Sequence, residues 1–457
     1  MRKLLLVFVL SLIISCSFDN KTGIWQDASD IPVDNRASKS ISEDTIAPRY
    51  ENIFVKNKIF NEEKEVNSSF NLEIDQPIKI KNWLEEYAIP TNNVSNFFYN
   101  DKKVLLFKSS KLRSFFASKD NLSNKIVFYD NNLISHDHKG TIFIFSLSLN
   151  KKVFEYNFYK KNFKNFDKKI NFIVNKNILY AADNLGYLYS LNLDNKSIIW
   201  AKNYGIPFRS NLKFENNQLF IANQDNVIYS MNPDTGEKNW QFATGLTFLK
   251  SDFENNFALD VINNNLFFLN TSGELYSINY LNKKINWVLN FKNSSGAGET
   301  ELFLSYPLVL RNNNLIITTE NSVLSYDSQS ASRNWALSAE PIFKPIITFN
   351  NTYVLLKNNL LICLNNSNGD VIWSKNIIRN IENKKIRKKF NYVVDLKIVN
   401  GEINVYSKNG YLLIFNPKNG NLKSSSRLSK NGINSEIFFL DDKMLFVDTN
   451  NKLFKFD

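Results

Sequence analysis

Cysteine and histidine are almost absent from this chain, which carries two of each in 457 residues. A metal centre needs three or four converging ligands. His136 and His138 flank Asp137 in the single stretch SHDHKG, with no second His/Cys cluster to complete a set. That stretch matches the polar turn of a hairpin. Helical HExxH and nucleophile-elbow motifs are also missing. Gly296-Ala297-Gly298 lacks the further glycine and lysine of a phosphate-cradling loop, and reads as a connection. No segment sustains a 3.6-residue apolar period with caps, so helices should be few and short. The apolar run Leu4–Ile14 covers eleven residues, too few to cross a bilayer core, which takes about 20.

What the chain does contain is repetition. NQLFIANQDNVIYSMNPDTGEKNW, Asn217 to Trp240, returns as NNLFFLNTSGELYSINYLNKKINW, Asn264 to Trp287, and as KNILYAADNLGYLYSLNLDNKSIIW, Lys176 to Trp200. Each copy is a β-forming run, a polar turn, an alternating run, a second turn and a tryptophan. Asn, Asp, Gly and Pro at the turns supply the positive or fixed φ that hairpins require. Trp200, Trp240, Trp287, Trp335 and Trp373 are separated by 40, 47, 48 and 38 residues, which suits a four-stranded propeller blade of about 40–50 residues. A large side chain recurring once per unit does the same geometric job each time, so these tryptophans are expected to pack near the end of each blade's last strand, against the neighbouring blade.

Asn131–Tyr156 and Gly401–Leu422 are further copies without the tryptophan, and the final stretch EIFFLDDKMLFVDTNNKLFKFD holds about three strands and stops. A ring cannot stay open, because the last blade would expose an unpaired edge. The run Lys103–Lys108, KVLLFK, precedes the first copy and is free to supply the missing strand. The expectation is all-β: an eight-bladed propeller of four-stranded antiparallel blades, closed by pairing of N- and C-terminal strands, with seven blades as the alternative.

Arg2, Lys3 and the apolar run have the pattern of a secretory signal peptide. The run ends Ile13-Ile14-Ser15-Cys16, which resembles the lipobox of bacterial lipoproteins. That resemblance implies a signal peptide over residues 1–15, acylation of Cys16, and a lipidated N-terminus with a flexible tether over 16–80, rich in Ser, Asn, Asp, Glu and Lys. Residues 53–55 and 59–60 in it could add a strand or a docking segment. With Cys16 acylated, Cys363 has no disulfide partner, and its strand-like surroundings read as those of a small buried hydrophobe. Ser17 after the cysteine favours the outer membrane by the same resemblance. The net charge of +12 is compatible with nucleic acid, but a secreted protein is kept from it and the lysines are scattered through turns. Only Asn383–Lys389, NKKIRKK, is dense; it reads as a solvated inter-blade loop, or as a contact for anionic lipid.

The repeat, with Asp234-Thr235-Gly236-Glu237-Lys238-Asn239-Trp240 as its best copy, resembles the PQQ-like propeller repeat, found in quinone-dependent dehydrogenases and in non-enzymatic scaffolds. The adjacent cysteines of many such dehydrogenases have no counterpart where the two cysteines lie 347 positions apart. Lipobox, tether and one propeller over 81–457 together resemble the BamB family of outer-membrane assembly lipoproteins. The resemblance implies a scaffold with no enzymatic activity and no cofactor, lipid-anchored on the periplasmic face of the outer membrane. It would bind the POTRA domains of a BamA-like insertase and assist unfolded barrel proteins. In that family a contact loop precedes the first strand of a central blade; the comparable segment is 247–253, with Phe248, Leu249, Lys250 and Asp252 as partner-binding candidates. A periplasmic PQQ-dependent dehydrogenase, or another binding propeller, is the alternative.

Overall fold

The computed structural model describes residues 58–66, 72–112, 125–159, 166–244, 256–291, 303–390 and 392–457, the single residues Phe163 and Glu254, and short strands at Cys16–Phe18, Trp25–Asp27 and Arg49–Tyr50. Eight antiparallel sheets follow one another along the chain as the blades of a propeller. Blade 1 begins with the inner strand Val127–Tyr129 and ends with the outer strand Lys151–Asn157. Blade 2 runs from Ile170–Asn175 to Ser197–Asn203 and blade 3 from Lys213–Glu215 to Lys238–Ala243. Blade 4 runs from Asn256–Asp260 to Lys284–Asn290 and blade 5 from Val309–Arg311 to Arg333–Ser338. Blade 6 runs from Ile346–Ile347 to Val371–Asn376 and blade 7 from Val393–Val399 to Leu422–Arg427.

Blade 8 closes the ring. Its first three strands are Phe438–Leu440, Lys443–Val447 and Lys452–Phe456, and its outer strand is Leu105–Lys111, antiparallel to the last of these. The N-terminal run expected to complete the ring does so, three residues longer at its far end than KVLLFK. The core consists of the apolar faces between successive blades: Ala258, Phe267 and Leu269 of blade 4 meet Leu308, Leu310 and Leu315 of blade 5, for example.

Local chemistry explains the regularity. At the turn between the second and third strands, one side-chain oxygen repeatedly accepts backbone N–H groups two and four residues on: Asp183 from Leu185 and Tyr187, Asn223 from Asp225 and Val227, Asn270 from Ser272 and Glu274, Asp448 from Asn450 and Lys452. Such turns satisfy donors that the ladder leaves over. Every outer strand of blades 1–7 carries a register shift of one residue, which sits just before the tryptophan where there is one. A bulge there twists the edge and discourages further pairing.

The tryptophans stand at the third or fourth residue of their strands rather than near the ends. Trp200, Trp287, Trp335 and Trp373 reach into the following blade, where each indole Nε1 donates to the second residue of the turn between third and fourth strands: Pro233, Ser328, Asn366 and Pro417, at 2.8–3.0 Å. In three of these turns a glycine lies under the ring, while the turn that Trp287 reaches has Ala331 (φ +57°) in its place. At Gly236 (φ +69°) an added Cβ would meet Trp200 at 2.9 Å, and at Gly420 (φ +71°) it would meet Trp373 at 2.6 Å. At these two positions positive φ and the close ring together favour glycine. Blade 4 has Lys283 in the corresponding place, and Trp240 instead donates to Gln218 of its own blade.

Two expectations are revised. The run 383–389 is not a loop: Lys384–Lys389 forms a short α-helix, capped by Asn383, whose side chain accepts from the backbone of Lys385 and Ile386. His136 is not in a turn but ends the second strand of blade 1 and is buried.

Candidate functional site

The inner strand of each blade turns an unpaired edge toward the ring axis. Its N–H and C=O groups need partners if the axis is not filled with water. Residues 80–100 provide them. Trp83 exchanges both backbone bonds with Phe128 of blade 1, and Leu84 O accepts from Val174 of blade 2. Pro90 O accepts from Leu259 of blade 4 and Thr91 O from Leu310 of blade 5. The Asn92 amide donates to Phe257 and Leu308 carbonyls at 2.7 and 2.8 Å. Asn93 exchanges two bonds with Ile347 of blade 6. Phe97 N donates to Ile398 of blade 7, while Ile80 O and Asn100 N bond to Asp441 and Asp442 of blade 8. Blade 3 is reached through Lys213, whose ammonium donates to Glu85 and, at 2.6 Å, to Asn92 Oδ1. The chain thus ties its own N-terminal segment to all eight blades.

These backbone bonds lie toward the C-terminal ends of the inner strands. At their other ends, on the face carrying the inter-blade loops, charged side chains converge on Glu86 and Tyr87. Lys125 of blade 1 pairs with Glu86 and with Glu254 of blade 4, the latter at 2.9 Å. Lys397 of blade 7 pairs with Asp395 at 3.3 Å and with Glu436 of blade 8 at 3.2 Å. Lys344 of blade 6 donates to Asn92 O at 2.8 Å and lies over the Tyr87 ring.

Burial governs how these groups titrate. It pushes Glu436 up to about 7 despite Lys397, and together with the nearby Lys397 ammonium it brings Lys344 down to about 7. Burial also lowers Lys213, even with Glu85 beside it. For Lys125 and Lys397 the paired carboxylates outweigh desolvation and raise the ammonium. Each acid of the cluster is paired with a lysine, Glu86 and Glu254 with Lys125 and Asp395 and Glu436 with Lys397; Glu86 Oε1 also accepts from the Tyr87 hydroxyl, and its Oε2 is buried without a partner.

The sequence candidates fall elsewhere. Phe248, Leu249, Lys250 and Asp252 lie outside the described residues, as do Gly296–Gly298 and residues 1–15. Their segment belongs to the connection between blades 3 and 4 and ends beside Glu254. The backbone of Cys16 pairs with Asp27. Of the tether, residues 53–55 lie outside the described set, whereas Arg49–Tyr50 adds a parallel fifth strand to blade 4. Further along, Phe60 N bonds to Ser338 O on blade 5 and Lys64 bridges Ser374 on blade 6. Cys363 is buried in a blade 6 strand, where desolvation raises its thiol. Sequence reading missed the axial segment altogether; its only signal was Trp83, Phe97, Phe98 and Tyr99 in a run with no repeat pattern.

An eight-bladed ring of this repeat defines a PQQ-like propeller protein. The family model described as outer membrane protein assembly factor BamB matches residues 160–375 and 261–457, and the chain belongs to that family. A BamB protein of Legionella pneumophila (strain Paris) is 33% identical over 79 residues, covering 16% of this chain and 20% of that protein, so the match spans a fifth of the relative's length. In structure the chain resembles BamB from Moraxella catarrhalis, with TM-score 0.57 and 11% identity over 74% of this chain and 98% of the other. It also resembles quinohemoprotein alcohol dehydrogenase from Comamonas testosteroni, with TM-score 0.59 and 9% identity over 82% and 80%. At these identities the likeness is one of fold.

The PQQ-like repeat raises a quinone and Ca²⁺ as a question of fit. Among the described residues no group of three or more His, Cys, Asp or Glu is placed to hold a metal. The axial acids are already matched to lysines, and the axis is threaded by residues 80–100. A hard cation prefers oxygen ligands free of ammonium partners. The described residues do not fit the group.

Proposed function

We propose that this protein is a non-enzymatic scaffold of the outer-membrane barrel-assembly machinery. In this reading it is acylated at Cys16, held at the periplasmic face of the outer membrane, and docked to the POTRA domains of a BamA-like insertase. Assistance to unfolded barrel proteins would follow from that docking. Membership of the BamB family supports the assignment, and the observation that carries the non-enzymatic part is the axis, filled by the chain's own residues 80–100. A ring so filled has its inter-blade loops left to offer, and those loops include segment 247–253, next to Glu254.

Crosslinking in cells from probes placed in the inter-blade loops tests the proposal: an insertase should be captured, chiefly from the 247–253 connection. The pair Leu249→Asp and Lys250→Glu should weaken that complex at least tenfold. The thermal midpoint should barely move, since loop surface changes are usually within about 0.5 kcal/mol. Capture of no insertase component from any loop would refute the reading.

A further inference from the structure

The helix Lys384–Lys389 occupies the connection from blade 6 to blade 7, on the same face as the axial charges. Lys384, Lys385, Arg387, Lys388 and Lys389 are all exposed, and Ile386 alone turns inward, toward the core of blades 6 and 7. None of the five cationic side chains makes an ion pair, a hydrogen bond or a ring contact with a described residue. Their neighbours behave differently: Arg379 pairs with Glu63, Lys375 with Glu65 and Lys423 with Glu402. Glu382 is the sole acid between Arg379 and Tyr392. Just past the helix, Tyr392 is 80% exposed, among the most exposed large side chains described. The turn of blade 7 holds this corner in place: Asn409 donates to Lys389 O and Lys408 N to Tyr392 O, which brings a sixth cationic residue alongside.

We propose that this corner binds the headgroups of an anionic phospholipid bilayer. Four to eight clustered Lys/Arg on a half-turned-in helix are the charge pattern that attracts such a surface. An exposed tyrosine beside them is the side chain that settles at the water–lipid boundary, ring inward and hydroxyl outward. The site rests on the membrane-anchored reading for its opportunity but not on any protein partner. The anchor holds the propeller near the membrane, and the helix corner turns one edge of the loop face onto it.

The test uses the full chain with Cys16→Ser, so that no acyl chain contributes. Its affinity is measured for vesicles of phosphatidylethanolamine with phosphatidylglycerol, and for vesicles of phosphatidylcholine alone. Binding should be confined to the anionic vesicles and fall steeply with added salt. Lys384→Gln, Lys385→Gln, Arg387→Gln and Lys388→Gln together should reduce it by about tenfold or more, and Tyr392→Ser by a few-fold, with thermal midpoints unchanged. Equal binding to both vesicle types, or undiminished binding by the glutamine variant, overturns the proposal. So does capture of an acidic protein by the helix with no vesicle binding. A chain that binds vesicles but crosslinks to no insertase would leave this inference standing and remove the scaffold reading.

Discussion

His136 shows how a single side chain makes part of the fold's stability sensitive to acid. Its ring lies between blades 1 and 2: Nδ1–H donates to Asp137 O at 2.9 Å, Nε2 accepts from Ile170 N at 3.3 Å, and Phe172 meets it edge-on. The neutral ring satisfies both bonds, and the imidazolium would lose one. Burial accordingly lowers it to about 4. Because the folded value lies below the unfolded one of about 6.5, the contribution to stability is complete above pH 6.5. It is lost as pH falls from there toward 4, and amounts to about 3 kcal/mol. Glu436 acts in the opposite sense: its carboxyl, raised by burial to about 7, adds stability as pH falls. The two effects are separable by difference. His136→Gln should be less stable than the parent at pH 7 and close most of that gap by pH 4, as measured by urea unfolding at each pH. A gap independent of pH would show that the ring is not buried neutral.

At the scale of elements, the axial segment and the rim tryptophans were legible to different degrees. The repeat announced the blades because every blade solves the same packing problem with the same residues. The missing tryptophan of blade 7 has a structural reason that no repeat count contains. Four of the five tryptophans bond to the turn between third and fourth strands of the next blade, and blade 8 has no such turn, since its fourth strand arrives from residues 105–111. Ser424 takes the place instead. The axial segment makes each of its contacts once, with a different blade each time, so nothing in it recurs. Helix 384–389 was obscured likewise, being a single turn and a half between strands. Lys213 offers a direct test of the axial contacts. Its ammonium is fully buried between Glu85 and Asn92. Lys213→Met should cost about 3–5 kcal/mol by stranding the Glu85 carboxylate, whereas adding Glu85→Leu should recover much of the loss. Chemical denaturation of the two variants measures it, and equal stability of the single and double variants would contradict the pairing.

For the whole molecule, the prediction is cooperativity. Residues 80–100 bond to every blade and residues 105–111 complete the last, so the ring and its axis form one unit. A chain beginning after residue 101 keeps all 32 strands of the blades, yet loses the partners of the inner edges. Calorimetry should find it without the single sharp transition of the full chain, or with one shifted far down. A normal transition would mean that the axis is dispensable.

The tie between residues 80–100 and blade 8 also fixes the order of events at birth. The hub is made before every blade that it binds, and its attachments to Asp441, Asp442 and Asp457 can form only once blade 8 has been made. Contacts separated by more than 300 residues form slowly, because a long loop must first be closed. Until blade 8 has been made, strand Leu105–Lys111 and the hub residues that meet blades 7 and 8 wait without their partners. During that interval a protease or a holding chaperone competes with the missing tail for the same strands.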